Sequence, residues 1–175
     1  MTPEQVQHIT SLLFMENMQT VVEIGAGVST PCIAWAMLHY GCGATTRLDV
    51  IETDKRWIDR VRSLLSRIHP VSDHFTVSEL IEWHTGTDEA IVAQKEKDFW
   101  PDMIIIDGPD ASDEPDIRLC NLDYVDEYVH PGMRVFVDDL NRRGEQRLFS
   151  HLISLNLGRC KVETRKENYG IIRYI

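Results

Sequence analysis

Residues 21–30, which read VVEIGAGVST, join an apolar run to a turn that contains two glycines. The run that stops at Gly25 predicts a buried strand, and the apolar spacing from Thr30 to Tyr40 predicts a helix. Gly25 and Gly27 have no side chains, so the backbone between strand and helix can turn tightly and approach a ligand. The stretch therefore predicts a strand, a glycine turn and a helix, with a binding site at the turn.

Strands and helices continue to alternate along the chain. The predicted strands are Thr20–Ile24, Arg47–Glu52, His74–Leu80 (alternatively extended through Ile81–His84), Met103–Ile106, Arg134–Val137, Cys160–Thr164 and Gly170–Tyr174. The predicted helices are Pro3–Met18, Thr30–Tyr40, Asp54–Ile68, Asp88–Phe99, Ile117–Tyr128 and Glu145–Leu155. This alternation is typical of a doubly wound, Rossmann-like α/β fold, a parallel sheet between two helix layers. The last two strands leave no room for a helix between them, which predicts a hairpin and an antiparallel strand.

Length and composition indicate one globular domain. The 175 residues suit a single core, and we expect one domain over residues 1–175 that opens with a helix within residues 1–18. The four cysteines form no C-x-x-C pair, which argues against a zinc knuckle or a dithiol redox motif. We find no leader pattern and no apolar run of membrane-spanning length, so we expect a cytoplasmic protein.

The net charge of −10 argues against nucleic acid or a membrane as the main partner, because both carry negative charge. A small basic patch at Arg142, Arg143 and Arg147 is the exception. These arginines either contact an anionic substrate group or form the solvated face of a helix.

Carboxylates follow most of the predicted parallel strands, at Glu23, Glu52, Asp107 and Asp138 with Asp139. In an open parallel sheet, ligands bind outside the carboxyl ends of the strands. Glu23 is awkward beside a diphosphate but suits a cationic amino acid group. Glu52 stands where Rossmann-like folds place an acid on ribose hydroxyls, although an acid there can also cap the next helix.

Four segments resemble the successive motifs of class I S-adenosylmethionine-dependent methyltransferases. They are residues 21–30 (VVEIGAGVST), 50–54 (VIETD), 104–108 (IIIDG) and 130–139 (HPGMRVFVDD). Asp123 lies in the predicted helix between the last two of these segments. Together with it, they make the chain most similar to small-molecule O-methyltransferases of the macrocin and methyltransferase domain 24 kinds. The resemblance implies a seven-stranded sheet whose last strand is antiparallel.

The resemblance also implies the residues of the site. S-adenosylmethionine would be bound by Glu23, Gly25, Ala26, Gly27, Ser29, Thr30, Glu52, Thr53 and Asp107, and its adenine by residues within Ser78–Trp83. Asp107 and Asp138 would be catalytic. Asp107, Asp138 and Asp139 would hold Mg²⁺, since oxygen ligands suit that ion; otherwise they cap a helix or favour the cationic cofactor.

The chain departs from these relatives after the fourth strand, where Pro109 and Asp110 follow Gly108 and no histidine is close. A histidine base is therefore not expected. The loop acids Asp110, Asp113, Glu114 and Asp116 either recruit an amine-bearing acceptor or are solvated.

Two other functions fit the same pattern. A nicotinamide oxidoreductase would share the fold and Glu52, but Thr30 stands where its third glycine is expected. A non-catalytic nucleoside-binding protein would fit a chain with few residues outside the sheet and its helices. As partners we expect a small-molecule acceptor and, to close the open site, a second copy of the chain.

Overall fold

The computed structural model describes residues 1–40, 46–68, 80–85, 100–156 and 158–175. Its strands are β1 (Thr20–Ile24), β2 (Arg47–Ile51), β3 (Ile81–His84), β4 (Met103–Ile106), β5 (Arg134–Asp138), β6 (Cys160–Arg165) and β7 (Tyr169–Tyr174). Its helices are α1 (Pro3–Met15), α2 (Ser29–Tyr40), α3 (Lys55–Leu65), α4 (Asn121–Tyr128) and α5 (Arg143–Leu155), with a 3₁₀ turn at Ile117–Cys120 before α4. None of the described helices combines the length and the apolar composition that crossing a bilayer requires.

The seven strands form one sheet in the order β3-β2-β1-β4-β5-β7-β6. All neighbouring strands are parallel except β7, which runs antiparallel to both β5 and β6. The predicted fold class is therefore confirmed, including the terminal hairpin. The chain moves outward from β1 to β3 and then returns to β4 on the other side of β1. This reversal opens a crevice at the carboxyl ends of β1 and β4, where ligands bind in such sheets.

The core lies on both faces of the sheet because the central strands are buried on both sides. All four residues of β4 are fully buried. Met103 and Ile105 pack into the cluster with α1, α2 and α3, whereas Ile104 and Ile106 pack into the cluster with α4 and α5. A continuous β-branched run is what a strand covered on both faces requires.

The third strand is the main correction to the predicted elements. It spans Ile81–His84, the alternative extension, and Leu80 is helical rather than extended. Ile81 is buried and Trp83 half-buried, whereas Glu82 is exposed, which is the alternation of a strand at a sheet edge. Residues 74–79, which make up the rest of the strand predicted at His74–Leu80, lie outside the described residues. The predicted helix at 88–99 lies outside them too.

Helix bounds differ from the prediction by a few residues. Helix α1 ends at Met15 instead of Met18, because Asn17 adopts a positive φ of 51° that a helix cannot contain. Helix α3 ends at Leu65, three residues earlier than expected.

Candidate functional site

A cavity of about 480 Å³ lies in the crevice outside β1, β2 and β4. Most of the residues predicted to bind a cofactor line it: Gly25, Ala26, Gly27, Ser29, Glu52, Thr53 and Asp107. The other two predicted residues, Glu23 and Thr30, are fully buried beneath the glycine turn. The topology thus brings the carboxyl ends of three strands to one ligand-sized space.

The floor of this cavity is a contact between two backbone segments. Gly25 adopts a φ of +97°, and a Cβ placed on it would lie 2.7 Å from the backbone nitrogen of Gly108. A Cβ on Gly108 would lie 2.6 Å from the Cα of Gly25. Neither position therefore has room for a side chain, and the turn after β1 rests directly on the end of β4.

Glu23 lies beneath the glycine turn and holds it with one of its two carboxylate oxygens. Its Oε1 accepts a hydrogen bond of 2.6 Å from the Ser29 hydroxyl. Its Oε2 is buried and has no hydrogen-bond partner among the described residues. Burial raises the pKa of Glu23 to about 7, against the opposing effect of the hydroxyls of Ser29 and Thr30. Thr30 also braces the turn, because its Oγ1 accepts from the backbone N–H of Gly27 at 3.1 Å.

Glu52 joins the end of β2 to the turn after β1. One of its carboxylate oxygens accepts from the backbone N–H of Ala26 at 2.9 Å, and the other accepts from the N–H of Asp54 at 2.8 Å. The carboxylate also faces the cavity. Each of its oxygens has a further lone pair, so it can accept from a vicinal diol while it holds the two loops.

Asp107, Asp138 and Asp139 meet at the ends of β4 and β5. Each offers a carboxylate oxygen within 4.8 Å of the others, although only Asp107 lines the cavity. Burial, and then the charge of Asp138, raise the pKa of Asp107 to about 7. The α-amino group of Met1 lies 3.4 Å from Asp107 and 3.3 Å from Asp138, so the two carboxylates already hold a cationic group between them.

The Asp138 carboxylate is held in place by the backbone and by α1. Its Oδ1 accepts from the backbone N–H of Asp139 at 2.7 Å and from the side-chain amide of Gln5. Asp138 is buried behind the cavity wall. It is therefore placed to influence Asp107 and a bound cation rather than to touch a ligand in the cavity.

Arg118 is a site residue that the sequence analysis missed. It is 4% exposed, and it donates to the carbonyl oxygens of Asp107 at 2.8 Å and Pro109 at 3.0 Å. It also pairs with Asp139 at 3.3 Å and with the fully buried Glu145 at 3.5 Å. One guanidinium thus fixes the ends of β4 and β5 to α5. No local pattern marks this role, because the partners come from three separate parts of the chain.

Trp57 was also missed as a cavity residue. It lines the cavity from the first turn of α3 and is 41% exposed. Trp83, the last residue of the segment predicted to contact adenine, packs against a core cluster, with the guanidinium of Arg62 5.1 Å from its ring centre. Trp57 lies five residues beyond Glu52, and no local pattern marks its place in the cavity.

The charged residues around the cavity are mostly paired. In the predicted basic patch, Arg142 lines the cavity and lies 3.2 Å from Asp139, whereas Arg147 pairs with Asp116. Of the loop acids, Asp110 lines the cavity and accepts from the backbone N–H of Ser112 at 3.0 Å.

A second group of possible metal ligands lies away from the cavity, on β2 and β3. Asp49, Glu82 and His84 each offer an atom within 4.8 Å of the others. Arg47 lies 2.9 Å from both carboxylates. This cluster therefore already contains its cation and is an ion-pair network at the sheet edge.

The comparisons with known proteins bear on the fold. The sequence matches no protein-family model, and no curated protein is a significant match. The structure resembles the O-methyltransferase from Bacillus cereus in complex with S-adenosylhomocysteine (SAH), with a TM-score of 0.73 and 18% identity over 100% of this chain and 82% of that one. It also resembles the O-methyltransferase TomG from Streptomyces achromogenes, involved in tomaymycin synthesis and solved with S-adenosylmethionine (SAM), with a TM-score of 0.72 and 19% identity over 99% and 81% of the two chains.

A third similar structure is the SAH-bound methyltransferase PaMTH1 from Podospora anserina, with a TM-score of 0.73 and 11% identity over 100% of this chain and 80% of that one. At these identities the likeness establishes the fold. The described residues share the seven-stranded fold of these solved structures.

Proposed function

We propose that this chain binds SAM in the cavity outside β1, β2 and β4 and transfers its methyl group to an oxygen of a small molecule. The observation that carries the proposal is that Glu52 and the turn at Gly25 and Gly27 face one cavity, with Asp107 on its other side. Glu52 suits the ribose, and the turn at Gly25 and Gly27, which has no side chains there, suits the amino acid group. Asp107 suits the sulfonium. The solved neighbours with SAM or SAH bound support this choice.

Residues that line the cavity, and Glu23 beneath it, have separate roles in binding. Glu52 accepts from the ribose hydroxyls, and the free Oε2 of Glu23 attracts the ammonium of the amino acid group through the turn above it. The half-exposed ring of Trp57 offers a flat apolar surface for the adenine.

Asp107 is the group best placed to accept a proton. When bound, SAM supplies a methyl carbon whose bond to sulfur breaks, with the electron pair remaining on sulfur, as the acceptor oxygen bonds to that carbon. A pKa of about 7 lets the Asp107 carboxylate take the hydroxyl proton near neutral pH. Arg118 and Asp138 hold Asp107 and its loop in position for this transfer.

The same carboxylates would hold a divalent cation if it displaced the α-amino group of Met1 from between Asp107 and Asp138. Asp107, Asp138 and Asp139 supply the oxygen ligands that Mg²⁺ prefers, within 4.8 Å of one another. A bound ion there would lower the pKa of an acceptor hydroxyl. If this second proposal holds, removing divalent ions with EDTA will lower turnover and added Mg²⁺ will restore it; equal turnover in both conditions contradicts it.

The binding proposal is tested by calorimetry with SAH and NAD. We expect SAH to bind and to raise the melting temperature, and NAD to do neither. The variant Glu52→Gln replaces one accepting oxygen with a donor, which would face the backbone N–H of Ala26 or of Asp54, so we expect SAH affinity to fall at least about tenfold. Glu167→Gln is the control, because Glu167 is exposed and does not line the cavity.

Three results would contradict the assignment. Binding of NAD in place of SAH would favour the oxidoreductase reading. Tight SAH binding that Glu52→Gln leaves unchanged would place the nucleoside elsewhere. Retained SAM binding without methyl transfer to any acceptor would favour the non-catalytic alternative.

A further inference from the structure

A second cavity, of about 710 Å³, lies between α1 and α2 on the outer surface of the molecule. We call it the α1–α2 groove. Its walls include Val6 and Thr10 from α1 and Trp35 and Tyr40 from α2. The volume lies within the range of small-molecule sites.

The groove exists because α1 uses a different face for the core. The helix buries Gln5, Ile9, Leu12 and Leu13 against the sheet. The groove residues Pro3, Val6 and Thr10 repeat at helical spacing on the neighbouring face, so they are not needed for core packing.

The groove exposes large apolar side chains to water. Trp35 is 40% exposed, Tyr40 is 41% exposed, and Val28 at the mouth is 65% exposed. Apolar surface gathered in a concave patch, rather than scattered singly, marks a binding surface.

The groove adjoins the cofactor cavity. Met1 and Val28 line both. At this shared end the α-amino group of Met1 is 3.4 Å from the Asp107 carboxylate. A molecule lying in the groove therefore ends at Met1, the residue in contact with the carboxylate that would take the acceptor's proton.

The side chains that line the groove also indicate whether its occupant is charged. No charged side chain from the described residues lines the groove, whereas the cofactor cavity contains several. Away from Met1, whose α-amino group lies at the end shared with the cofactor cavity, a charged group in the groove would lose its hydration without gaining a counter-ion from these residues. The occupant is therefore uncharged along the part that the groove covers.

We propose that the methyl acceptor is a hydroxylated molecule with an extended, uncharged apolar body that lies in the α1–α2 groove, with its hydroxyl at Asp107. This inference rests on the proposed methyl transfer and adds the class of substrate. The acceptor is the occupant we infer, because the groove adjoins the cofactor cavity at Met1 and Val28. A second copy of the chain is the competing occupant.

The test uses 4-methylphenol, 4-butylphenol and 4-hexylphenol with the full chain loaded with SAH. Each added methylene in the groove strengthens binding, so we expect the dissociation constant to fall at least about tenfold across the series. The matched acid 6-(4-hydroxyphenyl)hexanoate reaches as far but ends in a carboxylate, and we expect it to bind at least about tenfold more weakly than 4-hexylphenol. Calorimetry measures both effects.

Two variants place a carboxylate in opposite walls of the groove, Thr10→Asp and Trp35→Asp. We expect both to abolish the dependence on tail length while SAH affinity stays within about twofold of the unaltered chain. The matched control is Leu155→Asp, since Leu155 is 62% exposed at the end of α5, outside the groove lining. In Leu155→Asp we expect the same SAH affinity and the same dependence on tail length as in the unaltered chain.

The outcomes separate this inference from the proposed function. Failure of SAH to bind overturns both. SAH binding with no dependence on tail length, or with equal 4-hexylphenol affinity in the groove variants, overturns the groove alone. Sedimentation that shows a dimer in the unaltered chain and a monomer in Trp35→Asp assigns the groove to a second copy and also overturns it.

Discussion

Arg118 shows how a single side chain can hold the site together. It is buried with Glu145 and joins the backbone after β4 to Asp139 after β5. In Arg118→Met, the fully buried Glu145 loses the nearer of its two cations among the described residues, and Asp139 keeps only Arg142 of its two. We expect the free energy of unfolding to fall by about 3–5 kcal/mol, measured by urea denaturation.

Arg142→Met is the control for this prediction. Arg142 also pairs with Asp139 but is 47% exposed, so we expect a loss below about 1 kcal/mol. Equal losses in the two variants would show that the buried network around Arg118 contributes no more than a surface ion pair.

Glu23 makes stability depend on pH. Burial raises its pKa from the usual 4.5 to about 7 in the folded chain. Between these values the folded chain binds more protons than the unfolded chain, so the free energy of unfolding falls as pH rises through this window. This decrease is at most about 3 kcal/mol. In Glu23→Gln we expect the free energy of unfolding to fall by that much less over the same pH range.

The measurement is urea denaturation of both proteins between about pH 4 and pH 8. The pKa of Asp107 is also raised, and its charge contributes to the raised pKa of Glu23, so the difference between the two curves reports Glu23 together with its interaction with Asp107. Curves that stay parallel across the window would contradict the prediction.

At the scale of elements, the contact between the turn after β1 and the end of β4 is the least tolerant of change. A Cβ on Gly108 would meet backbone atoms of Gly25, which cannot swing aside as a side chain can. We expect Gly108→Ala to lower the free energy of unfolding by about 3 kcal/mol and to weaken SAH binding. Thermal and urea denaturation measure the first effect.

Gly27→Ala is the matched control from the same turn. A Cβ there would meet only the Ser29 hydroxyl, at an ordinary 3.8 Å. We expect this variant to keep nearly the stability of the unaltered chain while it weakens SAH, because Gly27 lines the cavity. A Gly108→Ala variant as stable as Gly27→Ala would show that the two segments can separate.

The elements that the sequence predicted best are those whose burial is complete. Strand β4 was predicted at its observed bounds, because a strand covered on both faces is apolar throughout. Strand β3 was misplaced because an edge strand shows only a weak alternation. The glycine turn and the strand-end acids were readable because they are local in sequence. Arg118 and Trp57 were not, since their roles depend on how distant segments pack.

At the scale of the molecule, the charge of −10 predicts weak interaction with nucleic acid. The arginines nearest the cavity do not form an opposing patch, because Arg118, Arg142 and Arg147 are paired with acids. We expect a labelled RNA of about 20 nucleotides to show no binding tighter than about 100 µM at about 150 mM salt. Fluorescence anisotropy measures this, and micromolar binding that weakens with salt would contradict it.

The order of the sheet has a consequence for biosynthesis. The final strand β7 lies between β5 and β6 and is not at an edge. While the ribosome is still making residues 169–174, β5 has only β4 as a partner and β6 has none. The nascent chain therefore cannot complete its sheet until these residues have left the exit tunnel, so we expect this domain to reach its folded state only after they are made.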